Sequence, residues 1–204
     1  MFLALNLIDR VEDADKKSET MEIFRPLVSR LENTIKGLTG ILQVQKTDES
    51  AAGNVNFESI INEIMHDHRD TLYEGTLQYD FSEKPDVCYI EPFLSSIMKN
   101  LINNAIKYSR DNVPLKIEVK TTRAENGYTL LTIKDNGIGM DMEKHGEQLF
   151  TPFKRISPSK AEGTGVGLYI IKNIIEKNGG YIEVKSTPGE GTEFYCYLRE
   201  YATP

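Results

Sequence analysis

The spacing of apolar residues changes once along this chain of 204 residues, and the change divides the chain into two parts. Between positions 21 and 42 an apolar residue recurs every three or four positions, which is typical of a helix with one buried stripe. Leu27, Thr34 and Ile41 widen that stripe, as expected for a helix of a four-helix bundle. We call the stripe the apolar seam, and it consists of Met21, Phe24, Val28, Leu31, Ile35, Leu38 and Leu42.

Residues 1–46 are predicted to form a helical hairpin, because apolar residues at positions 2–11 suit a first helix and the charged stretch 12–19 suits a turn. A helix over residues 20–44 would be roughly 36 Å long, whereas residues 2–12 would span only about 16 Å. One arm is then less than half as long as the other. We therefore expect about a dozen residues of the first helix to lie upstream of Met1.

Residues 47–54 are polar and small and are interpreted as a linker, and residues 55–200 as a second domain. In that domain helical and strand-like patterns alternate, and Asn126-Gly127 predicts a tight turn between two strands. Strands are predicted at 55–57, 77–81, 87–90, 115–123, 128–134, 181–186 and 193–198, and helices after residue 57, at 91–108 and at 166–178. This order predicts an α+β fold, a two-layer α/β sandwich in which helices cover one face of a mixed, mostly antiparallel sheet.

The composition excludes several classes of protein. A net charge of −7, from 24 Lys+Arg against 31 Asp+Glu, provides no basic surface for nucleic acid. No apolar run approaches the roughly 18 residues of a membrane span, so we expect a cytoplasmic protein whose membrane attachment, if any, lies in segments outside this chain. Cys88 and Cys196 are far apart and fit two reduced thiols better than a disulfide or a metal site.

Three polar residues lie on one stripe of the predicted helix at 91–108. Asn100, Asn104 and Lys107 are spaced by four and three residues, opposite an apolar face. Asparagine is a poor helix former, so two of them on one stripe require a reason. An amide oxygen suits Mg²⁺, and a lysine one turn further can bind phosphate oxygens. Taken alone, this stripe fits a solvated helix face equally well.

Three glycine clusters lie at the ends of predicted elements. Asp135 ends a strand and is followed by Gly137 and Gly139, so that a carboxylate able to accept from a base amine stands beside backbone that a ligand can approach closely. Residues 163–168 open a helix, whose free N–H groups can face phosphates, and residues 189–192 lie between the last two strands. Turns explain most single glycine clusters. The asparagine helix and the three clusters in this order predict nucleotide binding.

From about residue 55 to 198, the chain resembles the ATP-binding catalytic domain of the sensor histidine kinases, within the wider family that includes gyrase, the HSP90 chaperones and MutL. Its N box is 100–108, its first glycine box 135–140, its F box 149–155, and its second and third glycine boxes 163–168 and 189–192. Residues 12–44 resemble the end of the hairpin that dimerises these kinases and carries their phosphoacceptor histidine.

The resemblance implies that ATP and Mg²⁺ bind. Asn104 would hold Mg²⁺ with Asn100 beside it, Lys107 would contact phosphate, Tyr108 would pack near the base, and Asp135 would bind the adenine amine. Residues 156–162 would form a mobile lid, and at least one of Phe150 and Phe153 would be a packing residue. The full set of implied ATP-binding residues is Asn100, Asn104, Lys107, Tyr108, Asp135, Gly137, Gly139, Lys154, Arg155, Gly163, Thr164, Gly165, Val166, Gly167, Leu168 and Thr192.

Two departures from the wider family matter for activity. Gyrase, the HSP90 chaperones and MutL carry a water-activating glutamate four residues before the Mg²⁺ asparagine, whereas this chain has Asn100, which cannot act as a base. We therefore expect slow hydrolysis. The three histidines, His66, His68 and His145, all lie outside residues 1–46, so the acceptor histidine is expected upstream of Met1 and this stretch alone is not expected to autophosphorylate.

The sequence thus predicts the catalytic core of a two-component sensor histidine kinase. It would transfer the γ-phosphoryl group of Mg·ATP to a histidine outside this chain, for relay to an aspartate on the receiver domain of a response regulator. It would form a homodimer through the hairpin. Two alternatives stay open: a serine/threonine kinase of the anti-sigma-factor type, which lacks a long heptad hairpin, and a nucleotide-binding dimeric scaffold without transfer activity.

Overall fold

A computed structural model describes residues 51–72, 76–154 and 165–201. The strands are β1 (Gly53–Asn56), β2 (Leu77–Asp80), β3 (Asp86–Tyr89), β4 (Ile117–Arg123), β5 (Tyr128–Asp135), β6 (Tyr181–Thr187) and β7 (Gly191–Arg199). The helices are α1 (Phe57–Asp67), α2 (Glu91–Lys107), the short α3 (Met142–His145) and α4 (Gly167–Lys177). The predicted hairpin (1–46), the lid (156–162), Arg155, Gly163 and Thr164 lie outside the described residues.

The strands form two sheets. The larger sheet has the order β2-β4-β5-β7-β6, in which β2 runs parallel to β4 and the other three pairs are antiparallel. This confirms a mixed, mostly antiparallel sheet. β1 and β3 form a separate antiparallel pair. The segments predicted on either side of the turn at 83–86 therefore do not pair with each other, because β2 joins the larger sheet and β3 joins the smaller one.

The two-layer arrangement follows from alternation along the strands. In β4, Ile117 and Val119 are buried while Glu118 and Lys120 between them are exposed, as period-two geometry requires of a sheet with one covered face. The buried face packs against α2 and α4, which contribute Leu94, Ile97, Met98, Leu101, Ile170, Ile171, Ile174 and Ile175 to the same core. The predicted α/β sandwich is thereby confirmed.

The first strand and helix meet one residue earlier than the apolar pattern predicts. Asn56 has extended backbone, and its side-chain Oδ1 accepts a hydrogen bond from the Ser59 amide at 3.0 Å, which is the geometry of a helix N-cap. Phe57 is therefore the first residue of α1 and not the last of a strand, and it is fully buried. β1 correspondingly begins at Gly53, inside the segment interpreted as a linker.

Helix α2 positions the site. Its seventeen residues begin at Glu91 with a proline in the first turn, and it packs against α4, which begins at Gly167. β5 ends at Asp135 and is paired there with Thr192 near the start of β7. None of the described helices combines the length and the apolar character that crossing a membrane requires. Both cysteines are buried and free.

Candidate functional site

The asparagine stripe of α2 meets the start of α4. The Asn100 side-chain amide donates to the Ser96 carbonyl at 2.8 Å, and this fixes the direction of its Oδ1. A Cβ placed on Gly167 would lie 2.7 Å from that Oδ1, so a larger residue at this position would require the Asn100 side chain to move. The structure therefore brings together the predicted N box and the start of α4, where the second glycine box ends.

Asn104 lies one turn further along α2 and is half-buried. Its side-chain amide forms no hydrogen bond within the part of the chain that the structure describes, although its backbone carbonyl accepts from the Tyr108 amide at 2.9 Å. A half-buried amide without a protein partner is suited to a ligand or a metal ion. Lys107 follows, with Nζ 5.2 Å from the centre of the Tyr108 ring, in cation–π geometry.

Asp135 lies at the end of β5 and is half-buried. Its Oδ1 accepts from the Gly137 amide at 2.7 Å and from the Thr192 amide at 3.3 Å. Burial raises the pKa of this carboxyl above its ordinary value, and the two backbone amides offset part of that rise. The described residues give Oδ2 no hydrogen-bond partner. Asp135 therefore presents one oxygen, in a fixed direction, to a donor on a ligand.

The loop after Asp135 has no room for side chains at its glycines. A Cβ on Gly137 would lie 2.5 Å from the Tyr108 carbonyl oxygen. Gly139 has φ +63°, and a Cβ there would lie 1.9 Å from the Thr187 carbonyl oxygen, which is a steric overlap. The first glycine box is thus packed closely between the end of α2 and the turn that joins β6 to β7. The atoms that require glycine here belong to the protein backbone, whereas the sequence analysis expected these glycines to allow close approach of a ligand, which stays a prediction.

Thr192 is buried on the other side of Asp135. Its Oγ1 lies 2.9 Å from the Oγ of Ser186, and that Ser186 oxygen also accepts from the Met140 amide and lies 2.8 Å from the Gly191 carbonyl oxygen. Ser186 therefore joins the first and third glycine boxes. The sequence analysis did not identify it, because a serine near the end of a half-exposed strand gives no periodic or motif signal.

Arg110 is a second residue that the sequence analysis missed. Its Nε donates to the Asn136 carbonyl at 2.8 Å and its Nη1 donates to the Gly189 carbonyl at 2.6 Å. A single arginine in a polar coil just beyond the N box has no sequence signal that separates it from a solvated charge.

The remaining predicted residues lie near the start of α4. Gly165 has φ +71°, and its carbonyl accepts from the Phe153 amide at 3.0 Å; Val166 is buried, and Leu168 packs at the edge of the core. Lys154 is exposed, and within the described residues no hydrogen bond or ion pair of its side chain joins it to the other site residues. Phe153 is 59 % exposed, whereas Phe150 is half-buried, with Lys172 Nζ 5.3 Å from its ring centre.

Comparison with known proteins identifies the family. Residues 89–202, more than half of the chain, match the family described as histidine kinase-, DNA gyrase B-, and HSP90-like ATPase. The chain belongs to this family. Domains of this ATPase family bind ATP, and the N box and all three glycine boxes described above lie within the matched residues.

Two curated relatives extend the match beyond that domain. The chain is 35 % identical over 195 residues to Cyanobacterial phytochrome B of Nostoc sp., covering 92 % of this chain and 25 % of the relative. It is 33 % identical over 175 residues to Sensor protein kinase WalK of Staphylococcus aureus, covering 82 % of this chain and 42 % of the relative. The chain thus spans about a quarter and about two fifths of the lengths of these relatives.

Solved structures of histidine kinases share the fold. The Acinetobacter baumannii histidine kinase AdeS matches with a TM-score of 0.68 at 20 % identity, over 98 % of this chain and 92 % of that one. The catalytic domain of histidine kinase ThkA matches with a TM-score of 0.59 at 22 % identity, over 73 % of this chain and 95 % of that one. These likenesses establish the α+β architecture of the family independently of the motifs.

Proposed function

We propose that this chain is the ATP-binding catalytic core of a two-component sensor histidine kinase. The observation that carries the proposal is the Asp135 carboxylate, fixed through Oδ1 by the Gly137 amide and half-buried, with Oδ2 without a partner in the described residues. An acceptor held in this way fits the exocyclic amine of adenine. The similarity to Sensor protein kinase WalK supports the kinase assignment within the family.

Mg²⁺ fits the donor set near the end of α2. Asn104 offers a neutral, hard amide oxygen that has no hydrogen-bond partner among the described residues, and Mg²⁺ is usually held by one or two protein oxygens together with the phosphates of its nucleotide. When bound, the ion would neutralise phosphate charge. Asn100 and Asn104 would orient it from the helix, and Lys107 would add a cation next to the phosphates.

We infer that the domain passes the γ-phosphoryl group to a protein and not to water. The position where a hydrolase of the wider family carries its glutamate base is Asn100, and the side-chain amide of Asn100 already donates to Ser96. An amide cannot take a proton from water at neutral pH. The chain's part in the reaction is then to hold the nucleotide and its charge in place, while a histidine nitrogen attacks the γ-phosphorus and ADP leaves.

The partners follow from the same proposal. The phosphorylated histidine would pass its phosphoryl group to an aspartate on the receiver domain of a response regulator. The residues of the apolar seam would pair two copies of the chain. A domain that uses ATP as its phosphoryl donor is expected to work in the cytoplasm. Sensing and membrane segments, where a kinase of this type has them, would belong to other parts of the protein.

Nucleotide binding is tested by thermal unfolding. Mg·ATP at a hundredfold excess over its dissociation constant should stabilise the native chain by about 2.7 kcal/mol. Asn104→Ala should reduce that shift, whereas Asn103→Ala, an exposed neighbour on the same helix, should leave it unchanged. An unchanged melting temperature at millimolar Mg·ATP, or equal effects of the two alanine variants, would contradict the assignment of the site.

The kind of phosphotransfer is tested by incubating the whole gene product with γ-labelled ATP. A label that is stable to alkali and lost in acid identifies phosphohistidine and supports the proposal. An acid-stable label on serine or threonine would instead identify the anti-sigma-factor type of kinase. Nucleotide binding without any label would identify a scaffold.

A further inference from the structure

Arg110 closes a ring of hydrogen bonds at the base end of the site. The Ile138 amide donates to the Tyr108 carbonyl at 2.9 Å, and the Gly189 amide donates to the Ile138 carbonyl at 2.7 Å. Nη1 of Arg110 donates to the Gly189 carbonyl at 2.6 Å, and Arg110 follows Tyr108 by two residues, so the ring returns to its starting point. The ring therefore joins the end of α2, the first glycine box and the turn between β6 and β7.

The guanidinium of Arg110 also forms a hydrogen bond to a residue outside this ring of hydrogen bonds. Its Nε donates to the Asn136 carbonyl at 2.8 Å, next to Asp135. Asn136 is held on its other side as well, because its Oδ1 accepts from the Lys116 amide and its Nδ2 donates to the Pro114 carbonyl, both at 2.9 Å. Arg110, together with Pro114 and Lys116, thus holds one end of the loop that continues into Gly137.

An arginine is suited to this task because its planar guanidinium holds several donors in a rigid fork. Two diverging carbonyls can be held at once by charge-assisted hydrogen bonds, which are stronger than neutral ones. Within the described residues Arg110 forms no ion pair with a carboxylate, and its charged guanidinium is hydrogen-bonded to the two backbone carbonyl oxygens instead.

What the ring holds in place is the Gly137 amide. Gly137 lies between the Tyr108 carbonyl, where a Cβ would come within 2.5 Å, and Asp135 Oδ1, to which its amide donates at 2.7 Å. Movement of the loop away from Tyr108 would take this amide from the carboxylate and leave Oδ1 only the longer hydrogen bond from the Thr192 amide, at 3.3 Å. Through the Asn136 and Gly189 carbonyls, Arg110 is therefore linked to the loop whose Gly137 amide holds Asp135 Oδ1.

We propose that Arg110 is a positioning residue that sets base selectivity by fixing the loop that orients Asp135. The inference rests on the proposed nucleotide function, and it assigns Arg110 no contact with the nucleotide. It therefore predicts an effect confined to the base. A residue that merely supported the fold would weaken all nucleotides equally.

The test compares Mg·ATP with Mg·ITP, in which a carbonyl oxygen replaces the base amine, by calorimetry on the native chain. Wild type should prefer ATP by at least about tenfold, the range of one hydrogen bond to a charged group. Arg110→Gln should lose at least about fivefold in ATP affinity and change ITP affinity by less than about twofold. Arg123→Gln is the matched control, since the Arg123 side chain is exposed and is not hydrogen-bonded or ion-paired within the described chain; it should behave as wild type.

A double-mutant cycle then asks whether Arg110 acts through Asp135. Adding Arg110→Gln to Asp135→Asn should change ATP affinity by less than about twofold, because there is no carboxylate left to orient. Equal losses for ATP and ITP, or full additivity in the cycle, would overturn the inference. If Arg110→Gln does not fold, Arg110→Lys serves in its place: a reduced preference for ATP supports the inference, and a wild-type preference overturns it.

The two hypotheses fail in different ways. If wild type binds neither nucleotide, or binds ATP and ITP equally, the proposal that Asp135 accepts from the adenine amine is wrong. The role proposed for Arg110 is then wrong as well. If wild type prefers ATP and Asp135→Asn abolishes the preference while Arg110→Gln retains it, the function stands and only the inference about Arg110 is overturned.

Discussion

At the scale of single residues, the role proposed for the Asp135 carboxylate in nucleotide binding opposes its effect on the stability of the fold. Its folded-state pKa is raised, chiefly by burial, above the ordinary aspartate value of about 3.9. The protonated carboxyl therefore stabilises the fold at pH values below the ordinary pKa of aspartate. This contribution is lost as the pH rises through the raised pKa of the folded state. At neutral pH the buried charge costs stability, and the protein keeps it at the place where a ligand donor is expected.

Asp135→Asn should separate the two effects. The amide oxygen of the replacement side chain can still accept from the Gly137 amide, which turns its NH₂ group toward the base amine, so ATP affinity should fall at least about tenfold. The nucleotide-free variant should unfold at the same temperature as wild type or higher at neutral pH, and this advantage should shrink on acidification toward about pH 4. Calorimetry and thermal melts at several pH values measure both. A variant that is destabilised at neutral pH but binds ATP normally would contradict this account.

Gly139 provides a second test at this scale. Both Gly139 and Gly127 have positive φ, +63° and +78°, but only Gly139 lacks space for a Cβ. Gly127→Ala should cost about 1 kcal/mol, the strain of a left-handed residue alone. Gly139→Ala adds overlap with the Thr187 carbonyl and should lower the free energy of unfolding by at least about 3 kcal/mol. It should also abolish nucleotide binding. Urea unfolding of the pair measures the difference, and equal costs would show that the loop can move away from Thr187.

Single residues also mark where the sequence stops being informative. Asp135, at the end of a strand, and Gly137 and Gly139, in the loop that follows, could be identified as candidates because one motif contains all three. Arg110 and Ser186 could not, because their roles arise from backbone carbonyls and amides that lie far away in sequence. Arg110 binds the Gly189 carbonyl across 79 positions, and no pattern local to Arg110 encodes that contact.

At the scale of elements, the types of the elements and the pairing of the β4–β5 hairpin were predictable, whereas the partners of β2 and β3 were not. The alternation in β4 and β5 and the apolar face of α2 gave both hairpin strands and the helix to within a few residues. The choice of partner for β2 and β3 escaped prediction. β2 pairs in parallel with β4 while β3 turns away to β1, and this depends on packing between layers that periodicity does not record.

Glu200, just after β7, joins the two sheets. Its Oε1 accepts from Thr129 Oγ1 on β5 at 2.8 Å and lies 2.9 Å from Lys84 Nζ, and its Oε2 accepts from the Cys88 amide on β3 at 3.5 Å. Burial alone would raise the pKa of this carboxyl, but the hydrogen bonds from Lys84 and Thr129 outweigh it and lower the pKa. The ionised carboxyl therefore makes its full contribution to the stability of the fold above the ordinary glutamate pKa of about 4.3. That contribution is lost as the pH falls through the lowered pKa of the folded state.

Glu200→Gln should destabilise the domain by about 1–3 kcal/mol at neutral pH, because the replacement weakens hydrogen bonds to a partly buried charge. The loss should diminish at acidic pH, where the wild-type carboxylate is protonated. Glu176→Gln is the control: Glu176 pairs with Lys172 at 3.6 Å on the surface of α4, and such a pair contributes about 0.2–1 kcal/mol. Chemical unfolding at two pH values measures both variants. Equal losses in the free energy of unfolding would contradict the view that Glu200 stabilises the domain by joining the two sheets.

At the scale of the whole molecule, the apolar seam at Met21, Phe24, Val28, Leu31, Ile35, Leu38 and Leu42 leads us to propose a dimer. A seam of this length is too apolar to face water, and half of a four-helix bundle cannot cover it, so two chains should pair about a two-fold axis. Apolar burial contributes about 25 cal/mol per Å², enough across several side chains from each chain to offset the cost of association.

We expect the pairing through the seam to be reversible. Sedimentation at several concentrations should show a monomer–dimer equilibrium, and Leu31→Asp or Ile35→Asp should shift it strongly toward monomer, since either variant places a charge in the seam. Glu32→Gln, next to Leu31 but off the seam, is the matched control and should leave the equilibrium unchanged. A strict monomer at high concentration, or a dimer indifferent to charge at position 31 or 35, would show that the chains do not associate through the seam.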